Sequence, residues 1–353
     1  MSNAPILELL LRGAAVGGFL GLAIAIGRGG FARARVAGIL FCLAAAAHTW
    51  TQLPEIRPAL GVAWVPIWSL SVVGAGLFWA FAIELFEDRA RFEFRRLVPI
   101  AALLALSVGT TITTGNFAKG LWLAHNLIGA ILMAHVLFIV AAGWKSDLVE
   151  PRRRLRGPVL AAGATYAFAV TVVESGEILG RSAEAFSPIA ATLLFAMSMA
   201  GVLAFLRADA ALFGPTEEAP TEDASEPPAE LAAEDARAAA MLERLMREER
   251  LSREPGLTVA ALAARLRMPE YRLRRLINQR LGHRNFNTFL NQWRLAEAKE
   301  ALADPAQREV PISTIALDAG FSSLGPFNRA FRTETGQTPS EFRTRSLGAS
   351  AIA

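Results

Sequence analysis

Three arginines, Arg274, Arg275 and Arg280, stand close together in the run LRRLINQRLG. A guanidinium carries five donors in a fixed fork, which suits phosphate oxygens and the O6/N7 edge of guanine. The same residues equally suit a solvated helix face, and only the elements around them decide between the two. A second set of chemistry-bearing residues stands inside strongly apolar stretches: His48 and Gln52, Glu84, His125, Asn126 and His135, and Glu174 with Glu177. Polar groups in apolar surroundings are costly, so they either bond to neighbouring helices or build a ligand, proton or metal site. Both readings stay open. Glu174 and Glu177 are i,i+3 and share a helical face. His125 and His135 are ten residues apart, which sets them about 80° from one another around a helix. That is not the spacing of a ligand pair, and neither a metal nor a cofactor is expected.

Enzyme signatures are missing. There is no P-loop, no HExxH, no glycine-rich nucleotide loop after a strand and no cysteine cluster, so the chain is not expected to be an enzyme. Cys42 stands alone, which excludes an intrachain disulfide scaffold. A Schiff-base lysine deep in a last span is also absent, since the lysines are Lys119, Lys145 and Lys299.

The elements that must position these residues fall into three unlike parts. A mean hydropathy of +0.35 and a net charge of +4 are averages over them. Residues 1–214 carry a net +5, residues 215–235 a net −8 with no Lys or Arg, and residues 236–353 a net +7. The first part holds seven apolar stretches, near 5–27, 35–53, 61–85, 97–114, 121–143, 158–179 and 186–206. Each suits a bilayer core, which takes ~20 apolar residues of helix. Loops after the first, third and fifth stretches hold 12 basic residues, against three in the alternate loops. Positive charge marks the cytoplasmic side. The N-terminus is therefore expected outside, and everything after Leu206 in the cytoplasm. The first stretch lacks a basic n-region and reads as an uncleaved span. Gly13, Gly17 and Gly21 lie on one face of it, suited to close helix packing in the bundle or to a dimer seam.

Residues 215–235 read PTEEAPTEDASEPPAELAAED, an acidic, Pro/Ala-rich composition that cannot bury enough surface to fold; Pro215–Pro228 is expected to be a flexible linker, with helix starting near Glu230. Its acids serve either as a plain tether or as competitors with DNA for the basic domain.

The basic domain repeats one pattern. LTVAALAARLRMPEYRLRRLINQRLG reads as helix, tight turn, helix, with Thr258 as N-cap, Pro269 at the first position of the second helix and Gly282 as a left-handed C-terminal cap. PISTIALDAGFSSLGPFNRAFRTETG repeats it, with Ser313 capping the first helix, Gly320 in the turn, Ser322 or Ser323 capping the second and Gly336 ending it. Phe289–Leu302 between them is one amphipathic helix. Leu262, Leu276, Ile277, Phe286, Ile315, Phe321, Phe327, Phe331 and Phe342 are expected in the core. Second helices of two such units, held about 34 Å apart, read one face of a duplex.

Ala236–Arg345, about a third of the chain, resembles the DNA-binding domain of the AraC/XylS family of bacterial transcription regulators. The residues that carry the likeness are LAARL, LRRLINQRLG, Phe289 with WRLAEAKEAL, IALDAGF, FNRAF and TGQTPSEFR, in order and at matching spacing. An N-terminal membrane domain on such a regulator resembles a known subgroup. The resemblance implies that Glu270, Tyr271, Arg274 and Arg275 face bases in the first recognition helix, with Arg272 and Arg280 nearer phosphates. In the second helix it implies that Asn328 and Arg329 face bases and Arg332 reaches a phosphate. Two departures stand out: Pro269 where the family often has a serine cap, and Leu324-Gly325-Pro326, which opens the second recognition helix without polar side chains.

The expected fold is all-α: a seven-helix membrane domain (1–214), the linker (215–235) and a double helix-turn-helix domain (236–353). The expected function is a membrane-integral, one-component transcription regulator that couples a membrane or extracytoplasmic signal to promoter binding. Its partners would be double-stranded promoter DNA, RNA polymerase, the lipid bilayer, a small-molecule or membrane-derived signal and a second copy in a homodimer. The alternatives are a transporter or channel with a regulatory C-terminal domain, and a protein-interaction module that binds no DNA.

Overall fold

The computed structural model describes residues 4–28, 32–53, 56–87, 94–150, 152–159, 161, 187–206 and 229–350. The chain is all-α: no strand occurs among the described residues, where an isolated antiparallel bridge pairs Asp147 with Asn285. It divides into two compact units. One comprises 1–144 with 150–220, the other 221–353 together with the short segment Lys145–Val149.

The first unit contains α1 (Ala4–Gly27), α2 (Arg33–Thr51), α3 (Ile56–Leu60), α4 (Trp64–Val72), α5 (Gly74–Phe86), α6 (Val98–Ile112), α7 (Gly115–Ala142), α8 (152–159) and α9 (Ser187–Leu206). Five described helical segments are long and apolar enough to cross a membrane: Ile6–Gly27, Arg33–Thr51, Phe94–Ile112, Gly115–Ala142 and Ser187–Ala204. The stretch expected as one span at 61–85 falls on two pieces, Ile56–Val72 and Gly74–Phe86, bent by 50°, which together are long and apolar enough for one broken span. The expected span at 158–179 lies outside the described residues apart from its first few, and Pro215–Pro228 lies outside them altogether.

α1 packs against α2 and α9, α2 against α4 and α5, and α7 against α5 and α6. The α1–α2–α9 contact is built from Ala15, Val16, Phe19 and Ala46 with Leu194 and Phe195. Close approach of α9 falls at Gly18, where a Cβ would lie 2.8 Å from Ser198 Oγ. The stripe Gly13, Gly17 and Gly21 is not that seam: a Cβ at any of the three meets nothing within 4 Å among the described residues.

The second unit contains α10 (Ala229–Arg247), a 3-10 turn (Leu251–Arg253), α11 (Val259–Arg265), α12 (Glu270–Arg275) running into a π-helical turn (Leu276–Arg280), α13 (Phe286–Ala303), α14 (Ile312–Asp318), α15 (Leu324–Thr335) and α16 (Pro339–Ser350). It has two apolar cores, and α13 belongs to both. Phe286, Phe289 and Leu290 pack with Leu262, Leu273, Leu276 and Ile277. Leu295, Ala298 and Leu302 pack with Ile315, Phe321, Phe327 and Phe331. One continuous helix thus fixes the spacing of the two cores. Its start is set by Asn285, whose side-chain oxygen accepts from the Asn287 and Thr288 amides.

Candidate nucleic-acid interface

The two helix–turn–helix segments close in the same way. Met268 N donates to Ala263 O and Phe321 N to Ala316 O, both at 3.0 Å, each reaching back over a left-handed residue. That residue is Arg267 (φ 52°) in the first turn and Gly320 (φ 93°) in the second. Thr258 caps α11 by accepting from Ala261 N at 3.1 Å, as its position predicts. Gly282 and Gly336 take the expected left-handed conformation, each at φ 75°. Pro269 is the extended N-cap of α12 and not its first helical residue. Ser313 does not cap α14: that helix begins one residue earlier, after the extended Pro311, whose carbonyl accepts from Thr314 and Ile315. Ser323 occupies the N-cap of α15 without a side-chain hydrogen bond.

The recognition-helix side chains divide sharply by environment. In α15, Phe327 and Phe331 are fully buried, which turns Asn328, Arg329 and Arg332 outward with Leu324 at the helix start. In α12 and its continuation, Tyr271 is 70% exposed, and Arg275 and Arg280 are also exposed. Arg272 bonds Glu234 (2.7 Å) and Asp235 (3.2 Å) at the start of α10, and these bonds hold its pKa above the ordinary arginine value. Arg275 lies 3.7 Å from Asp235. Arg274 is the exception to an outward-facing cluster: it is 7% exposed, and its guanidinium donates to Glu270 and to the carbonyls of Asp147 (2.6 Å) and Lys145 (3.2 Å). Nothing in the spacing of LRRL separates Arg274 from Arg275, because the carbonyls that take up Arg274 lie 127 and 129 residues earlier.

Two helix-turn-helix units locked on one helix, with an arginine-bearing outer face, define a DNA-binding module. Residues 262–345 match the family model described as a helix-turn-helix domain, which supports a DNA-binding transcription regulator. No curated protein and no solved structure matches the chain.

The described polar residues of the apolar unit do not converge on one centre. His48 bonds Ser71 (3.2 Å) and lies near Gln52 (3.5 Å). Glu84 pairs with Arg96. His125 Nε2 lies 3.0 Å from Val72 O, at the break between α4 and α5. A bent helix frees carbonyls that a neighbouring group must satisfy, and a donating His125 does so. Asn126 sits 3.3 Å from His125, and His135 accepts from Trp79 Nε1 at 2.9 Å. Glu174 and Glu177 lie outside the described residues. No group of three or more His, Cys, Asp or Glu suited to a metal occurs among the described residues. A further polar cluster, absent from the candidates above, lies at one end of α1. Arg12, 1% exposed, pairs with Glu8 (3.0 Å) and donates to Thr49 O (3.1 Å) and Ser187 Oγ (2.9 Å), so α1, α2 and α9 meet on one buried charge. An i,i+4 Glu–Arg pair near the start of an apolar stretch was its only signal.

Proposed function

We propose that the chain is a membrane-integral, one-component transcription regulator. Its apolar helical unit sits in the inner membrane with the N-terminus outside, and its double helix-turn-helix module binds promoter DNA in the cytoplasm and acts on RNA polymerase. The observation that carries this reading is the sharing of α13 between two cores. A rigid two-headed reader needs that arrangement, and a single protein-docking motif does not. Tyr271, Arg275 and Arg280 from the first unit, and Leu324, Asn328, Arg329 and Arg332 from the second, are the contact residues. Arg329 and Asn328 supply guanine- and adenine-type readout, and Leu324 a contact to a thymine methyl. With Leu324, Gly325 and Pro326 at its start, the second helix reads shape more than sequence. Support for the membrane placement comes from the long apolar helices and from the 12-to-three asymmetry of basic residues in alternate loops.

The test is a gel shift of the full chain in lipid nanodiscs on duplex from its own upstream region. Arg329→Ala is expected to weaken specific binding by ~1–3 kcal/mol and relax the preference at one base. Arg332→Ala is expected to weaken all duplexes alike and flatten the salt dependence. Binding indifferent to both substitutions would refute the interface.

A further inference from the structure

The segment Lys145–Val149 is part of the DNA-binding unit although its neighbours in sequence, α7 and α8, are not. It is held there by backbone and by side chains. Ser146 O accepts from Phe286 N (2.8 Å), and Leu148 N donates to Arg284 O (3.0 Å), which makes the antiparallel bridge of Asp147 with Asn285. Leu148, 3% exposed, enters the first apolar core, and Asp147 is fully buried with its carboxylate accepting from Val149 N at 3.1 Å. Asn285, the cap of α13, also donates to Ser146 Oγ at 3.2 Å. This is a seated segment with its own built surface.

Its effect on the recognition helix is specific. The carbonyls of Asp147 and Lys145 offer two acceptors to the Arg274 guanidinium. Guanine presents the same pair through O6 and N7. Arg274 cannot serve both, since its remaining donor contacts go to Glu270 and the side chain is almost fully enclosed. On one side the segment is tied to the last turn of α7 through only Gly143 and Trp144. A small shift or rotation of that helix is therefore passed to the bridge with little slack.

We infer that Lys145–Val149 is an internal ligand of the first helix-turn-helix unit: seated, it keeps Arg274 from DNA; withdrawn by movement of α7, it releases Arg274 to read a base. The inference rests on the DNA-binding reading above. It assigns a coupling element to the connection after α7 and leaves the acidic linker as a tether.

The experiment selects duplexes from a random pool on the full chain in nanodiscs, as the natural sequence and as Leu148→Asp, and then measures affinity for the selected duplexes. Leu148→Asp places a charge in the first core and should expel the segment. Affinity is expected to rise at least ~10-fold, the size of one good bidentate base contact. Adding Arg274→Ala should cancel that gain. Leu148→Ala, a milder change, should show a smaller gain with the same dependence on Arg274. Hydrogen exchange at Leu273–Ile277 reports whether the first core stays folded. Where it does not in Leu148→Asp, the Leu148→Ala chain decides. Equal or weaker DNA binding with the core protected, or a gain that survives Arg274→Ala, would overturn the inference and leave DNA binding standing. Selection of no duplex by any of the chains would overturn the DNA-binding reading, and the inference with it.

Discussion

Replacing Gly320 by alanine should cripple the second helix-turn-helix unit, and the structure sets the size of the effect. Gly320 holds φ 93° in the turn between α14 and α15. A Cβ there would lie 2.6 Å from Arg253 Cα, 2.7 Å from Ser252 O and 2.9 Å from Arg253 O. All three are backbone atoms of the 3-10 turn Leu251–Arg253, so no side chain can swing aside. That turn is itself pinned: Leu251 and Ser252 are buried, and Ser252 O accepts from Arg294 Nε at 2.6 Å. Left-handed strain costs roughly 1–2 kcal/mol. Displacing packed backbone costs roughly another 1–3 kcal/mol. The total is about 2–5 kcal/mol, a large part of a domain's stability.

Gly256→Ala is the control, because Gly256 has φ 71° but meets nothing within 4 Å, leaving strain alone. Hydrogen exchange across Ile312–Phe331 in the full chain reads the difference. Gly320→Ala is expected to speed exchange there at least ~30-fold, corresponding to about 2 kcal/mol, and Gly256→Ala clearly less. Equal effects of the two substitutions would refute the claim that the turn is held against the 251–253 backbone.

Arg267→Gly relieves a left-handed arginine in the first turn and should raise stability by up to ~1 kcal/mol in urea unfolding of the C-terminal unit. Asn285→Ala removes the cap of α13 and should cost about 1 kcal/mol in the same assay. His283, half-buried with its ring edge-on to Phe289, has its pKa lowered below 6.5 by burial. The unfolded chain therefore binds more protons, so stability is fully present above pH 6.5 and falls as the pH drops below it; His283→Gln should flatten that slope. Glu341 behaves likewise at lower pH. Thr338 N donates to it at 2.8 Å and holds its pKa below 4.5, so this stability is lost as the pH falls through the lowered value. In the apolar unit, Arg12→Leu removes the buried guanidinium that pairs with the partly exposed Glu8 and serves Thr49 O and Ser187 Oγ; it should cost roughly 1–3 kcal/mol by thermal unfolding in detergent, and adding Glu8→Leu should restore part of it.

The parts of the fold that local chemistry dictates were legible in the sequence. The left-handed glycines, the Thr258 cap, most of the expected core residues and the linking helix all follow from spacing and residue type, whereas Phe342, expected in the core, is only partly buried. The exposed face of α15 follows too, since burying Phe327 and Phe331 leaves Asn328, Arg329 and Arg332 outside. Features set by distant partners were not legible. Pro66 sits within α4, but the 50° bend between α4 and α5 falls at Val73, where His125 from another helix meets the Val72 carbonyl. Arg274 and Arg275 look alike in LRRL and differ because the Asp147 and Lys145 carbonyls take up one and not the other. The Gly13, Gly17 and Gly21 stripe has the right spacing for packing, yet α9 approaches at Gly18, one residue off that face. Ser313 has the type of a cap, but the helix starts ahead of it at Ile312, with Pro311 at the cap position.

The central claim is that one chain holds both membrane-spanning helices and a two-headed DNA reader on α13. The most direct measurement is the footprint of the full chain in nanodiscs on a selected duplex, at several salt concentrations. Protection should fall in two patches about one helical turn, ~34 Å, apart on the same face, with affinity dropping steeply as salt rises. A single patch, or retention of the duplex without any footprint, would contradict the account.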